Sequence, residues 1–113
     1  MRDDRERLLD IVDSIDRIRE QAKRGRHVFE TDKLVQTWMV HHIEILGEAT
    51  RAVSKELRLR HPKVPWREMV AMRNVLAHDY FSIDIDQVWA TIQGDLPALR
   101  EQIQAILHDL NAK

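Results

Sequence analysis

Apolar residues recur at intervals of three and four through nearly the whole chain, and no stretch alternates polar and apolar residues as a half-buried strand would. Leu8, Ile11, Val12, Ile15, Ile18 and Ala22 form one face of a first helix, opened by Asp3 or Asp4 and closed near Gly25. The short connection GRHVFETD leads to a long second helix over residues 31–60, where Leu34, Val35, Trp38, Ile45, Leu46, Ala49, Ala52, Val53 and Leu57 make a broad apolar arc. The two prolines of HPKVPW end it, and Pro65 suits the first turn of a third helix over residues 65–77. Asp84 with Gln87 resembles a capping box ahead of a last helical run from Ile85 to Leu110, in which Pro97 predicts a kink or break near Gly94 and Asp95. The expected fold is therefore an all-α, up-and-down bundle of four to five helices. At 113 residues it makes one domain, 1–113, because two halves would each be too small to bury a core.

The second helix carries a further stripe, Val40, Ile43 and Gly47, on the side away from that arc. A glycine inside a helix costs roughly 1 kcal/mol against alanine, so Gly47 suggests another backbone approaching closely. A second copy of the chain would provide it, which predicts a homodimer.

A chain with 43% hydrophobic and 33% charged residues reads as globular, and no apolar run reaches the roughly 18 residues of a membrane span. The start, MRDDRERLLD, lacks the apolar stretch of a signal peptide, and with no cysteine there are neither disulfides nor thiolate metal sites; the expected compartment is the cytoplasm. The net charge of −1 excludes a protein that coats nucleic acid with its whole surface. The charge is unevenly spread, however: residues 51–73 carry +5 and the remainder −6. Within that basic segment Arg58, Arg60, Lys63 and Arg67 are candidates for contact with RNA phosphates.

The basic segment runs into RNVLAHDY, residues 73–80. Asn74 and His78 are four apart and share a helix face, which Arg73 can reach with its long side chain. A histidine at a helix end can exchange protons near neutral pH, a guanidinium is a planar fork suited to phosphate, and an asparagine can orient a hydroxyl or water. RNA carries its own nucleophile, the 2′-hydroxyl, so such a set could cleave it without metal, with His78 as base, Arg73 as phosphate clamp and Asn74 in support. The spacing taken alone is equally that of a helix-end arginine and a histidine capping carbonyls, and Asp79 reads as a turn residue.

Arg73, His78 and Tyr80 also match the Arg-x4-His-x-Tyr signature of HEPN-domain proteins, and the chain resembles the HepT toxins of HepT/MntA toxin–antitoxin systems. The likeness extends over MRDDRERLLDIVDSIDRI, EILGEA, RHPKVPWREM and DLPALREQI, and so covers nearly the whole chain. It implies a HEPN-like, homodimeric, metal-independent endoribonuclease with its active site in a cleft between subunits. It further implies a partner, a small nucleotidyltransferase antitoxin, that silences the toxin by transferring AMP to Tyr80. An alternative is a non-catalytic module that binds nucleotide or substrate for such a nucleotidyltransferase.

His41, His42, Glu44 and Glu48 invite a third reading, a metal-binding bundle. No second ligand-bearing helix is evident in the sequence, and a polar flank explains them as well, so no metal or other cofactor is expected. Trp38, Trp66 and Trp89 sit on or beside apolar faces and read as core.

Overall fold

The computed structural model describes residues 3–78 and 84–111, excepting the side chains of residues 75–78. They form an all-α bundle: α1 (Asp4–Ala22), α2 (Arg26–Thr31), α3 (Lys33–Ala52), α4 (Lys55–Arg60), α5 (Trp66–His78), α6 (Ile85–Ala90) and α7 (Leu96–Asn111). Among the described residues no helix is long and apolar enough to cross a membrane.

Local chemistry sets each boundary. The Asp3 carboxylate accepts from the Glu6 amide and caps α1, and Asp32 caps α3 through the amides of Leu34 and Val35. Gly25, at φ 98°, turns the chain through the left-handed region that glycine tolerates best. The connection expected between the first two helices is itself helical. In it α2 buries Phe29, whose ring stacks on Trp89 with centroids 5.4 Å apart, while Arg26 pairs with Glu30 and with Asp86 of α6.

The single long helix expected over residues 31–60 is two helices. The chain is extended at Val53, and Ser54 starts α4 by accepting from the Leu57 amide. Asp4 fixes this corner from α1, accepting from the Ser54 amide at 2.8 Å and from its hydroxyl at 2.6 Å. Toward the C-terminus, Asp84 caps α6 through the Gln87 amide as expected. The disturbance predicted near Gly94 is a π-helical segment, Thr91–Asp95, in which the Leu96 amide donates to the Thr91 carbonyl. The wider register lets the helix run on into α7 although Pro97 has no amide hydrogen to donate.

In the core α1 packs against α3 and α7, and α3 packs on its other flank against α5. Fully buried residues include Leu8, Ile11, Ile15 and Ile18 of α1, Met39, Ile43 and Leu46 of α3, and Leu96 and Ile103 of α7. This arrangement corrects the reading of α3. Val40 and Ile43 lie in the chain's own core, and the backbone that approaches Gly47 is that of α5. It is Leu34, Trp38 and Ile45, expected inside, that α3 leaves exposed, with Leu34 83% accessible. The Val40, Ile43 and Gly47 stripe is therefore not available to a second copy.

Candidate active site

The contact between α3 and α5 places the arginine of the Arg-x4-His-x-Tyr pattern. A Cβ on Gly47 would stand 2.2 Å from the Cβ of Arg73, so the missing side chain is what allows Arg73 to lie on the α3 backbone. Its head is then held from two sides. Nη2 lies 3.3 Å from the Glu48 carboxylate, and Nη1 donates to Oδ1 of Asn74 at 3.1 Å. Nε is buried without a hydrogen-bond partner. Arg73 borders a shallow groove of about 290 Å³ whose walls include Arg7 and Asp10 of α1 and His41, Glu44 and Glu48 of α3.

This geometry suits anion exchange. A guanidinium offers two N–H donors along its Nε/Nη2 edge, the edge that grips a phosphate or carboxylate in a two-point bond. In the structure one donor on that edge faces Glu48 and the other faces no acceptor. An incoming phosphate that displaces the half-exposed Glu48 carboxylate gains Nη2 directly, and reaches the enclosed Nε only if the packing around it opens.

Asn74 is exposed beside Arg73. His78 is the last residue of α5; its side chain, and the whole of Tyr80, lie outside the described residues. Arg58 and Arg67 meet at a groove with Lys55, whereas the exposed Arg60 and Lys63 do not line it.

Glu48 and the floor provided by Gly47 join this site only through the α3–α5 contact, which the sequence does not display. Their signal was the pair itself, a helix-interior glycine followed by an acid. Of the residues that suggested a metal, Glu48 pairs with Arg73 and Arg51, and His42 is buried with its ring 4.4 Å from that of Trp38. Burial, reinforced by the charges of His41 and Arg17 against the opposing pull of Asp13, holds the His42 pKa below the usual histidine value. Among the described residues no group of three or more His, Asp or Glu side chains could hold a metal ion.

The family model described as HepT-like, "Ribonuclease HepT-like", matches residues 11–106. The chain belongs to the HepT-like ribonuclease family. It is 34% identical to "Probable ribonuclease HepT" of Thermococcus cleftensis over 88% of this chain and 91% of that one. "Putative RNase MJ1380" of Methanocaldococcus jannaschii is 33% identical over 88% of this chain and 92% of its own length. "Putative RNase TTE0752" of Caldanaerobacter subterraneus is 39% identical over 70% of each chain. No solved structure matches the chain.

Proposed function

We propose that the chain is the toxin of a toxin–antitoxin pair and acts as a metal-independent endoribonuclease. The observation that carries this reading is Arg73, anchored on Gly47 with its phosphate-gripping edge only partly engaged, in a HepT-like chain that supplies His78 five residues further along α5. Arg73 binds the scissile phosphate and neutralises charge that grows on it in the transition state. His78 takes the proton of the 2′-hydroxyl, whose oxygen then attacks phosphorus. The new bond joins phosphorus to O2′, the bond to O5′ breaks, and the leaving oxygen takes up a proton. The products are a 2′,3′-cyclic phosphate and a 5′-hydroxyl end. Asn74 steadies the guanidinium through its Oδ1.

One chain supplies one motif, and a second proton donor for the leaving oxygen comes from a second copy. The surface we assign to the homodimer is the outer stripe of α3, Leu34, Trp38 and Ile45, which lies beside the Arg73 groove, since Ile45 also lines that groove. Two such helices running antiparallel about His41 and His42 bring Trp38 opposite Ile45 of the second copy. Apolar side chains of the two copies then face one another across the axis. Neutralisation follows from AMP transfer to Tyr80, two residues beyond His78, by a nucleotidyltransferase antitoxin. The added phosphate competes for Arg73, and the nucleotide fills the cleft.

The decisive experiment incubates purified protein with cellular RNA in the presence of EDTA. Cleavage should proceed, and His78→Ala should lose about 10²- to 10⁴-fold in rate while keeping its helical signal and melting temperature. Activity that requires an added divalent metal would refute the mechanism. Binding of RNA without any cleavage would return the chain to the role of a non-catalytic module. For the regulatory step, intact mass after co-expression with the nucleotidyltransferase should rise by one AMP in the wild type and stay unchanged in Tyr80→Phe.

A further inference from the structure

Lys55 and Arg58 from α4 and Arg67 from α5 converge on a groove of about 460 Å³, with Leu59, Pro62 and Val64 as its apolar wall. Three observations set this groove apart from an ordinary solvated patch. None of the three cations pairs with a described acidic residue, although Glu68 also stands on the rim. Arg58 Nε is enclosed without a hydrogen-bond partner, which fixes the arginine against the groove wall and leaves its outer N–H groups to face the groove. Leu59 is 69% exposed in the midst of the cations. Trp66 is part of the floor rather than a stacking platform, because it is buried and its Nε1 donates to the His61 carbonyl at 2.9 Å.

We propose that this groove is a subsite for the RNA strand flanking the scissile phosphate, gripping a second phosphate with Lys55, Arg58 and Arg67 while a base or ribose lies against Leu59, Pro62 and Val64. The inference rests on the ribonuclease reading for its choice of polyanion, and the register of α5 supplies the geometry. Arg67 and Asn74 are seven residues apart, both exposed, on one face of the helix. Two turns separate them by about 10 Å, the rise of about three stacked nucleotides. A substrate that reaches both sites must therefore extend several nucleotides beyond the cut. A dinucleotide reaches only Arg73. The groove thus contributes to binding of long single strands and leaves the chemical step alone.

The test compares the wild type with Lys55→Gln/Arg67→Gln, a pair of exposed positions whose replacement leaves the core intact, and with Arg58→Gln as an independent variant. Affinity is read by fluorescence anisotropy on a 2′-O-methylated single strand of roughly eight nucleotides, which has no free nucleophile. The double variant should lose about tenfold or more in affinity at moderate salt, and its salt dependence should weaken by about 0.7 per charge removed. Cleavage of a dinucleotide should stay at the wild-type rate, with the loss on longer unmodified RNA appearing in KM. Unchanged affinity for the strand overturns the subsite, as does an equal loss of activity on the dinucleotide, which would mark a general electrostatic effect. Binding of polyglutamate as tight as that of RNA, and lost in the same variants, overturns it in favour of an acidic protein segment. A wild type that binds the strand through this groove yet cleaves no RNA supports the subsite and refutes the ribonuclease reading.

Discussion

Gly47→Ala separates the packing of this bundle from its chemistry. The new methyl group would fall 2.2 Å from Arg73 Cβ, 2.7 Å from its Cγ and 3.4 Å from the Met69 carbonyl oxygen. Both Cβ atoms are fixed to helix backbones, so no rotamer change relieves the contact. To reach an ordinary separation α5 must withdraw from α3 by roughly 1–2 Å, and overpacking of this kind costs typically 1–3 kcal/mol. Alanine is the better helix former by about 1 kcal/mol, which offsets part of that cost. The net destabilisation should be about 0–2 kcal/mol, or up to roughly 10 °C in melting temperature for a domain of this size. The effect on turnover should be far larger, because a catalytic group displaced by about 1 Å can lose 10²-fold in rate. Thermal melts and RNA cleavage in EDTA measure the two effects, with Gly94→Ala as control, since nothing lies within 4 Å of a Cβ at Gly94. A Gly47→Ala protein that both melts and cleaves like the wild type would refute the claim that this contact positions Arg73.

Trp38→Arg places a charge within the exposed α3 stripe, opposite Ile45 of the proposed second copy, and sedimentation should show monomers in place of dimers with cleavage lost; a dimer that persists would show the interface to be elsewhere. His42 faces Trp38 and His41 on its own helix and Asp13 and Arg17 of α1, and its depressed pKa means the folded chain resists protonation more than the unfolded one. Its contribution to stability is therefore complete above the ordinary value of 6.5 and is lost as pH falls below it, so the melting temperature should drop on acidification through that range and His42→Leu should flatten the drop. Glu48→Gln removes the acid beside Arg73 Nη2 and should lower KM for RNA about two- to fivefold, the worth of a half-exposed ion pair; a raised KM would mean that Glu48 helps bind the substrate.

The periodicity of three and four was sufficient to predict helices, but it could not decide which side of α3 faces inward. That helix has apolar residues on two opposite stripes, and a lone helix with two such stripes has no preferred inner face. The choice is made by elements distant in sequence: α1 and α5 cover Val40, Ile43 and Gly47, and Leu34, Trp38 and Ile45 are left outside. The break at Ser54 was hidden for a similar reason. Serine is a weak helix former and a good cap, but what holds this corner is Asp4, fifty residues earlier. Arg73 and Asn74 could be proposed from sequence because they are neighbours, and the structure joins them by a hydrogen bond. Glu48 was not, because its partner lies on another helix.

The same contact bears on how the site rests without substrate. A guanidinium as enclosed as that of Arg73 is costly to leave unpaired, and α3 supplies a single carboxylate beside it, on the residue that follows the glycine floor. Glu48 engages only one donor of the phosphate-gripping edge and remains about half-exposed, so it can swing into solvent when a phosphate arrives. A fully bidentate carboxylate at the same place would hold Arg73 more firmly and compete more strongly with RNA. On the proposed mechanism the single contact keeps Arg73 oriented at a small cost in substrate affinity, the two- to fivefold change in KM expected of Glu48→Gln.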